Sequence, residues 1–147
     1  MRIVVQRVTS ASLSVGGNTV SEIGKGLVVY FGVGKGDNAS DCDAVARKIA
    51  NLRIFEDADG KMNHSALGGK FDVLFVSQFT LYGDCRKGNR PSFTDAEAPA
   101  AANALYEETA AKLRALGLNV KTGVFGADMR IAQVCDGPVT VIYDTKS

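Results

Sequence analysis

The chain has 147 residues, of which 46% are hydrophobic and 22% charged, and its formal net charge is +1. That length suits one soluble domain burying roughly 70% of its unfolded surface, and the near-neutral balance argues against a non-specific binder of long nucleic acid. No run reaches the roughly 18 apolar residues of a membrane span, charges inside MRIVVQRV argue against a signal peptide, and Cys42, Cys85 and Cys135 without a CxxC pair suit reduced thiols in a cytoplasm.

Residues 2–15, rich in Val, Thr and Ser, predict a strand, and Gly16-Gly17-Asn18 a hairpin turn into a second strand at 19–23. A third strand, Leu27–Val33, is almost wholly apolar and therefore central. Gly32, Gly34 and Gly36 follow without GxxxxGK[ST] or GxGxxG, so they predict a plain turn and not a nucleotide loop. Ser40-Asp41-Cys42-Asp43 predicts a capped helix start, with Cys42, Val45, Ile49 and Leu52 at helical spacing. A short strand at 52–56 and the turn Asp57–Gly60 predict a small hairpin reaching Met62. A strand at 71–82 follows. Thr94-Asp95-Ala96-Glu97 is a second capping candidate, Pro99 marks the start of the longest helix, and Gly117 closes it after Leu116. Strands at 118–124, 129–135 and 139–144 complete the chain, separated by Gly126 and by Asp136-Gly137-Pro138. With no repeat or linker, residues 1–147 read as a single domain. Seven or so strands and two substantial helices predict an α+β fold, with the helices on one side of paired sheets.

The stretch Phe71–Phe93 joins two residue patterns. Phe71, Val73 and Phe75 alternate with Leu74 and Val76, as in a strand buried on both faces. Ser77, Gln78 and Thr80 then bring polarity to its end, and on a strand Gln78 and Thr80 share a face. Such groups are costly unless they have partners. The loop Gly83–Pro91 adds Arg86, Lys87 and Arg90 against the lone Asp84, which suits an anionic ligand.

Side-chain chemistry of the usual kinds is missing. His64 is the only histidine and has no local nucleophile or orienting partner. One histidine and three scattered cysteines make no metal-ligand pair, so neither metal nor cofactor is expected. Cys85 lies beside Arg86 and Lys87, which favour a thiolate, but no base is near it in sequence. An enzyme built this way suits an already activated ester, needing a placed water and an oxyanion hole from backbone N–H groups around Phe79 and Thr80. Alternatively, Ser77, Gln78 and Thr80 only satisfy neighbouring backbone at a strand end.

Ser77-Gln78-Phe79-Thr80-Leu81, Arg90-Pro91-Ser92-Phe93 and Asp136-Gly137-Pro138-Val139-Thr140 resemble the D-aminoacyl-tRNA deacylase family. Gln6-Arg7-Val8, Gly60-Lys61-Met62-Asn63 and Phe125-Gly126-Ala127-Asp128-Met129 also fit its pattern, so the similarity spans residues 2–144. The resemblance implies a three-layer β/β/α fold, mostly antiparallel sheets in a barrel-like core with two main helices on one side. It implies hydrolysis of the ester joining a D-amino acid to the terminal adenosine of tRNA, with L-amino acids excluded and glycyl-tRNA cleaved to some extent. It also implies a homodimer with active sites at the subunit interface. Ser77, Gln78, Phe79 and Thr80 match the motif framing the ester. Gly137 and Pro138 match a Gly-cis-Pro pair that enters the partner's site, Arg7 a residue that braces it, and Phe125 and Met129 the adenosine pocket. Thr80 reads as nucleophile or as scaffold assisted by the tRNA 2′-hydroxyl, and the lack of a His-based triad favours scaffold. A non-catalytic RNA- or DNA-binding module, using the basic loop and Phe93 for backbone and stacking contacts, is the competing class.

Overall fold

A computed structural model describes residues 1–147. In chain order the elements are β1 (Arg2–Val15), β2 (Asn18–Ile23), β3 (Gly26–Gly32), α1 (Ala39–Asn51), β4 (Phe55–Glu56), β5 (Met62–His64) and the single turn α2 (Ala66–Gly69). They continue with β6 (Asp72–Ser77), a 3-10 turn (Phe79–Tyr82), α3 (Pro99–Ala115), β7 (Asn119–Thr122) and β8 (Arg130–Asp144). No helix is long and apolar enough to cross a membrane.

β1 is long enough to serve three partners. One edge pairs with β3 from Arg2↔Gly32 to Val8↔Gly26, then with β2 from Ala11↔Ile23 to Val15↔Asn18, through a turn in which Gly16 and Gly17 both take positive φ. Its other edge pairs with β8 over almost the whole length, and all three pairings are antiparallel. β6 lies parallel to β3, and β7 parallel to β6. Parallel neighbours need a crossover; α1 lies in the first and α3 is the second. β2 curls back towards β6 and β7, where the Ser21 hydroxyl donates to the Thr122 carbonyl (2.5 Å) and Gly24 N–H to the Asp72 carboxylate (3.2 Å). The sheet is therefore nearly closed, an α+β barrel-like core with α1 and α3 packed together beside it.

The alternation along β6 is realised, and apolar β3 is buried on both faces beside it. Val29, Phe31, Val73 and Phe75 enter the larger core with Ile3, Val5, Ile49 and Leu113, while Val28, Leu74 and Val76 enter a smaller one with Val8, Leu13 and Ile23.

Several boundaries differ from the sequence expectation, each for a local reason. The strand expected over 71–82 ends at Ser77, and Phe79–Tyr82 form a 3-10 turn. Its partner β3 ends at Gly32, and a Cβ on Gly34 would lie 2.7 Å from the Tyr82 ring, so only glycine admits that ring. The glycines after β3 thus permit close packing. α1 is capped by Asn38, with Asp41 completing the capping box, two residues earlier than the Ser40 start suggests. α3 has Ala98 at its N-cap without a side-chain cap; Pro99 opens the helix, and Glu97 accepts the Ala98 N–H (2.7 Å). The strand expected at 52–56 is only Phe55–Glu56, paired with β5. The strands expected at 129–135 and 139–144 are one strand, β8, because β1 is long enough to pair both halves.

Candidate active site

A cleft of about 620 Å³ opens where β3 and β6 end against α3 and the segment leading into β8. Phe31, Val33, Val76 and Tyr106 line it from the core, Phe93, Pro99 and Ala102 from the approach to α3, and Phe125, Met129 and Ile131 from the opposite segment. Ser77, Gln78 and Glu97 are its polar members. An aromatic series fixes its shape: Phe31 to Phe75 (4.9 Å between centroids), Phe75 stacked on Tyr106 (5.0 Å), and Tyr106 to Phe125 (6.0 Å). The Tyr106 hydroxyl donates to the Phe75 carbonyl (2.6 Å), and burial pushes its phenol up to about 12.

Where β6 gives way to the 3-10 turn, Gln78 N–H still donates to the Phe31 carbonyl (2.7 Å). The Gln78 side-chain amide donates to the Thr80 hydroxyl, so the two residues meet across the turn and not along one strand face. The first N–H groups of a helical turn have no partner inside it, and those of Phe79 and Thr80 donate to no other backbone carbonyl. Arg2 pins the turn from behind: Nη1 donates to the Leu81 carbonyl (2.7 Å), Nε to Asp144 (2.9 Å), and the guanidinium sits 4.7 Å from the Tyr82 centroid. Phe79, 56% exposed, meets Phe93 edge-on at 5.2 Å beside the cleft. Ser77, Gln78, Phe79, Phe125 and Met129 all line the cleft, whereas exposed Thr80 stands outside its lining.

Gly137, Pro138 and Arg7 lie elsewhere. Between Gln6↔Thr140 and Val8↔Cys135, β1 advances two residues while β8 advances five, so Asp136–Val139 leave the ladder. The Gly137-Pro138 peptide is cis, and both residues are exposed. Arg7, only 5% exposed, holds the bulge: Nε donates to the Asp136 carbonyl (3.2 Å) and Nη1 to the Ile54 carbonyl (2.8 Å), with the Asp136 carboxylate 3.3 Å from Nε. Gly137 has φ +127°, and a Cβ there would lie 2.9 Å from Val139 and 3.3 Å from Arg7. Neither the bulge nor Arg7 lines the cleft.

The remaining candidates stay apart from the cleft. His64 is exposed in β5, Cys85 and Cys135 are exposed, and Cys42 is buried with its thiol pushed up by burial. No three His, Cys, Asp or Glu side chains gather where a metal ion would sit. In the basic loop, Arg86 is taken by Asp84 (2.8 Å), and the guanidinium holds that carboxyl down at about 2. Lys87 and Arg90 are therefore the loop cations left for a ligand. Arg2 and Tyr106 were not anticipated. The Arg2 signal was present as a cation opening an apolar strand, but the partner it pins is 79 residues away.

The profile described as "D-Tyr-tRNA(Tyr) deacylase" matches residues 4–144. This chain belongs to the D-aminoacyl-tRNA deacylase family. It is 55% identical over 146 residues to the D-aminoacyl-tRNA deacylase of Desulfitobacterium hafniense (strain Y51), covering 99% of this chain and 98% of that one. It is 57% identical over 145 residues to that of Myxococcus xanthus (strain DK1622), covering 99% and 95%. Among solved structures, the c-Myc DNA unwinding element binding protein superposes with a TM-score of 0.93 at 40% identity, over 99% of each chain. A probable eukaryotic D-amino acid tRNA deacylase gives 0.77 at 21% identity over 97% of each chain, a likeness of fold.

Proposed function

We propose that this deacylase-family chain hydrolyses the ester joining a D-amino acid to the terminal adenosine of tRNA, and that it does so as a homodimer in the cytoplasm. The observation that carries this reading is the end of β6, where Gln78, Thr80 and the unpaired leading N–H groups of the 3-10 turn adjoin a largely apolar cleft. The adenosine occupies the cleft beside Phe125 and Met129. The ester carbonyl accepts hydrogen bonds from the Phe79 and Thr80 N–H groups, which strengthen as its oxygen becomes an oxyanion. Water adds to the carbonyl carbon, the bond to the ribose oxygen breaks, and the water's proton reaches that oxygen with help from the neighbouring 2′-hydroxyl. Thr80 acts as scaffold: its hydroxyl is held by the Gln78 amide, and no histidine lies near to deprotonate it.

Gly137 and Pro138 form the chirality filter of the partner's site. Supporting this, they stand out of the ladder, exposed and braced by Arg7, with no role in their own cleft. A backbone wall facing the α-carbon accepts the hydrogen of a D-residue and meets the side chain of an L-residue. Overpacking by one methyl costs about 1–3 kcal/mol. Glycine has no side chain to refuse, so some glycyl-tRNA is cleaved. A second subunit is also supported by β8, an outer strand whose Val134 and Ile142 are 56% and 70% exposed.

The competing class is a nucleic-acid-binding module without catalysis. Incubation with D-aminoacyl-tRNA separates the two: the proposal requires free tRNA and free amino acid at a rate proportional to protein. Tight binding with the ester intact would favour the module.

A further inference from the structure

We infer that the cleft at the C-terminal end of α1 is a second contact for tRNA, holding phosphates of the stem at a distance from the ester. This rests on tRNA being the substrate. The cleft has a volume of about 480 Å³, and Arg47, Lys48, Asn51, Arg53 and Tyr143 line it without any carboxylate. Three cations crowd here in a chain whose net charge is only +1. Two of them are held in place. Arg53 donates through Nε to the Asn63 carbonyl (3.1 Å) and through Nη2 to its side-chain oxygen, and the Lys48 ammonium sits 4.9 Å from the Tyr143 centroid. Arg47 forms no ion pair, because Asp43, one turn before it, is taken by Lys112 (2.7 Å). Cations at a helix C-terminus are also favoured by the helix dipole.

A free phosphate ion needs one tight pocket, whereas three cations strung along an open cleft match a row of backbone phosphates, which guanidinium groups engage in pairs of hydrogen bonds. The location favours the same partner. Arg53 leads directly into Ile54, whose carbonyl accepts from Arg7, and Arg7 holds the Asp136 carbonyl beside Gly137-Pro138. The cleft thus adjoins the segment proposed to enter the partner's site, where the tRNA end would leave its stem outside.

The test uses fluorescent, uncharged tRNA lacking its 3′-terminal adenosine, so neither the ester nor the adenosine cleft contributes. Binding is followed by anisotropy over a salt series. The double variant Arg47→Ala/Lys48→Ala should bind about tenfold more weakly near 0.1 M salt. Its slope of log affinity against log salt should be shallower by about two. Arg47→Glu should weaken binding further, and Lys121→Ala, an exposed cation elsewhere, should change neither quantity. Both mutated side chains are exposed, so circular dichroism should show an unchanged fold. Wild-type affinity and slope in the double variant would overturn the inference, as would a wild type that does not bind the truncated tRNA. Because no ester is present, failure of the hydrolysis reading would appear in a separate assay.

Discussion

Thr80 accepts a hydrogen bond from Gln78, and that single contact separates two roles for it. As scaffold, Thr80→Ser keeps the hydroxyl and should leave the rate nearly unchanged. Thr80→Ala should slow ester loss about tenfold, near 1.4 kcal/mol of barrier, with no covalent adduct. An acylated Thr80 detected by mass spectrometry during turnover would make it the nucleophile instead. Tyr106 offers a prediction in pH. Its folded phenol titrates at about 12 against an ordinary 10, so the folded state holds this proton more tightly. That contribution is complete below about pH 10 and is lost as pH rises towards 12. Tyr106→Phe leaves the Phe75 carbonyl without its donor, which should cost about 1–2 kcal/mol at neutral pH, and should flatten the alkaline limb of a denaturation profile. An unchanged alkaline limb would remove Tyr106 as its cause. Arg7 was legible in part, since it occupies the inward register of Ile3 and Val5, where a cation must find partners. Which partners it finds depends on strands far away in sequence.

The bulge in β8 is the element to which the proposed function assigns selectivity. Gly137 takes a φ that side chains rarely adopt, and an added methyl would press on Val139 and Arg7. Gly137→Ala should therefore displace the segment, and Arg7→Ala should release it. Removing a buried guanidinium with two carbonyl acceptors should also cost about 3 kcal/mol of stability. Both variants should lose discrimination between D- and L-esters more than they lose rate on D-esters, measured as the ratio of kcat/KM values. A ratio equal to wild type in both would detach the bulge from selectivity. At this scale the sequence was informative where periodicity spoke, as in β6 and α1, and where an apolar run or Pro and Gly boundaries marked an element, as in β3 and α3. It misjudged the end of β6, because apolar Phe79 and Leu81 continue a strand pattern while Gly34 and Arg2, distant in sequence, turn the chain aside. It also divided β8, since a Gly-Pro pair reads as a break unless the length of the partner strand is known.

For the whole molecule, the proposed function has the open cleft of one copy completed by the braced bulge of another. Light scattering should give a dimer mass, and mixing should reveal the exchange of parts. Thr80→Ala and Gly137→Ala subunits, each impaired alone, should regain activity and selectivity when refolded together, because one of the two sites then has both elements intact. Absence of recovery in a verified mixed dimer would place cleft and filter within one subunit. The α+β layout followed from the order of elements, whereas the meeting of Phe31, Phe93, Tyr106 and Phe125 around one cleft arises only from the fold. The most direct measurement compares wild-type ester loss from D-, L- and glycyl-charged forms of one tRNA under single-turnover conditions. Rapid loss from the D-form, slower loss from the glycyl form and none above background from the L-form is the predicted result; equal rates for D- and L-forms would contradict it.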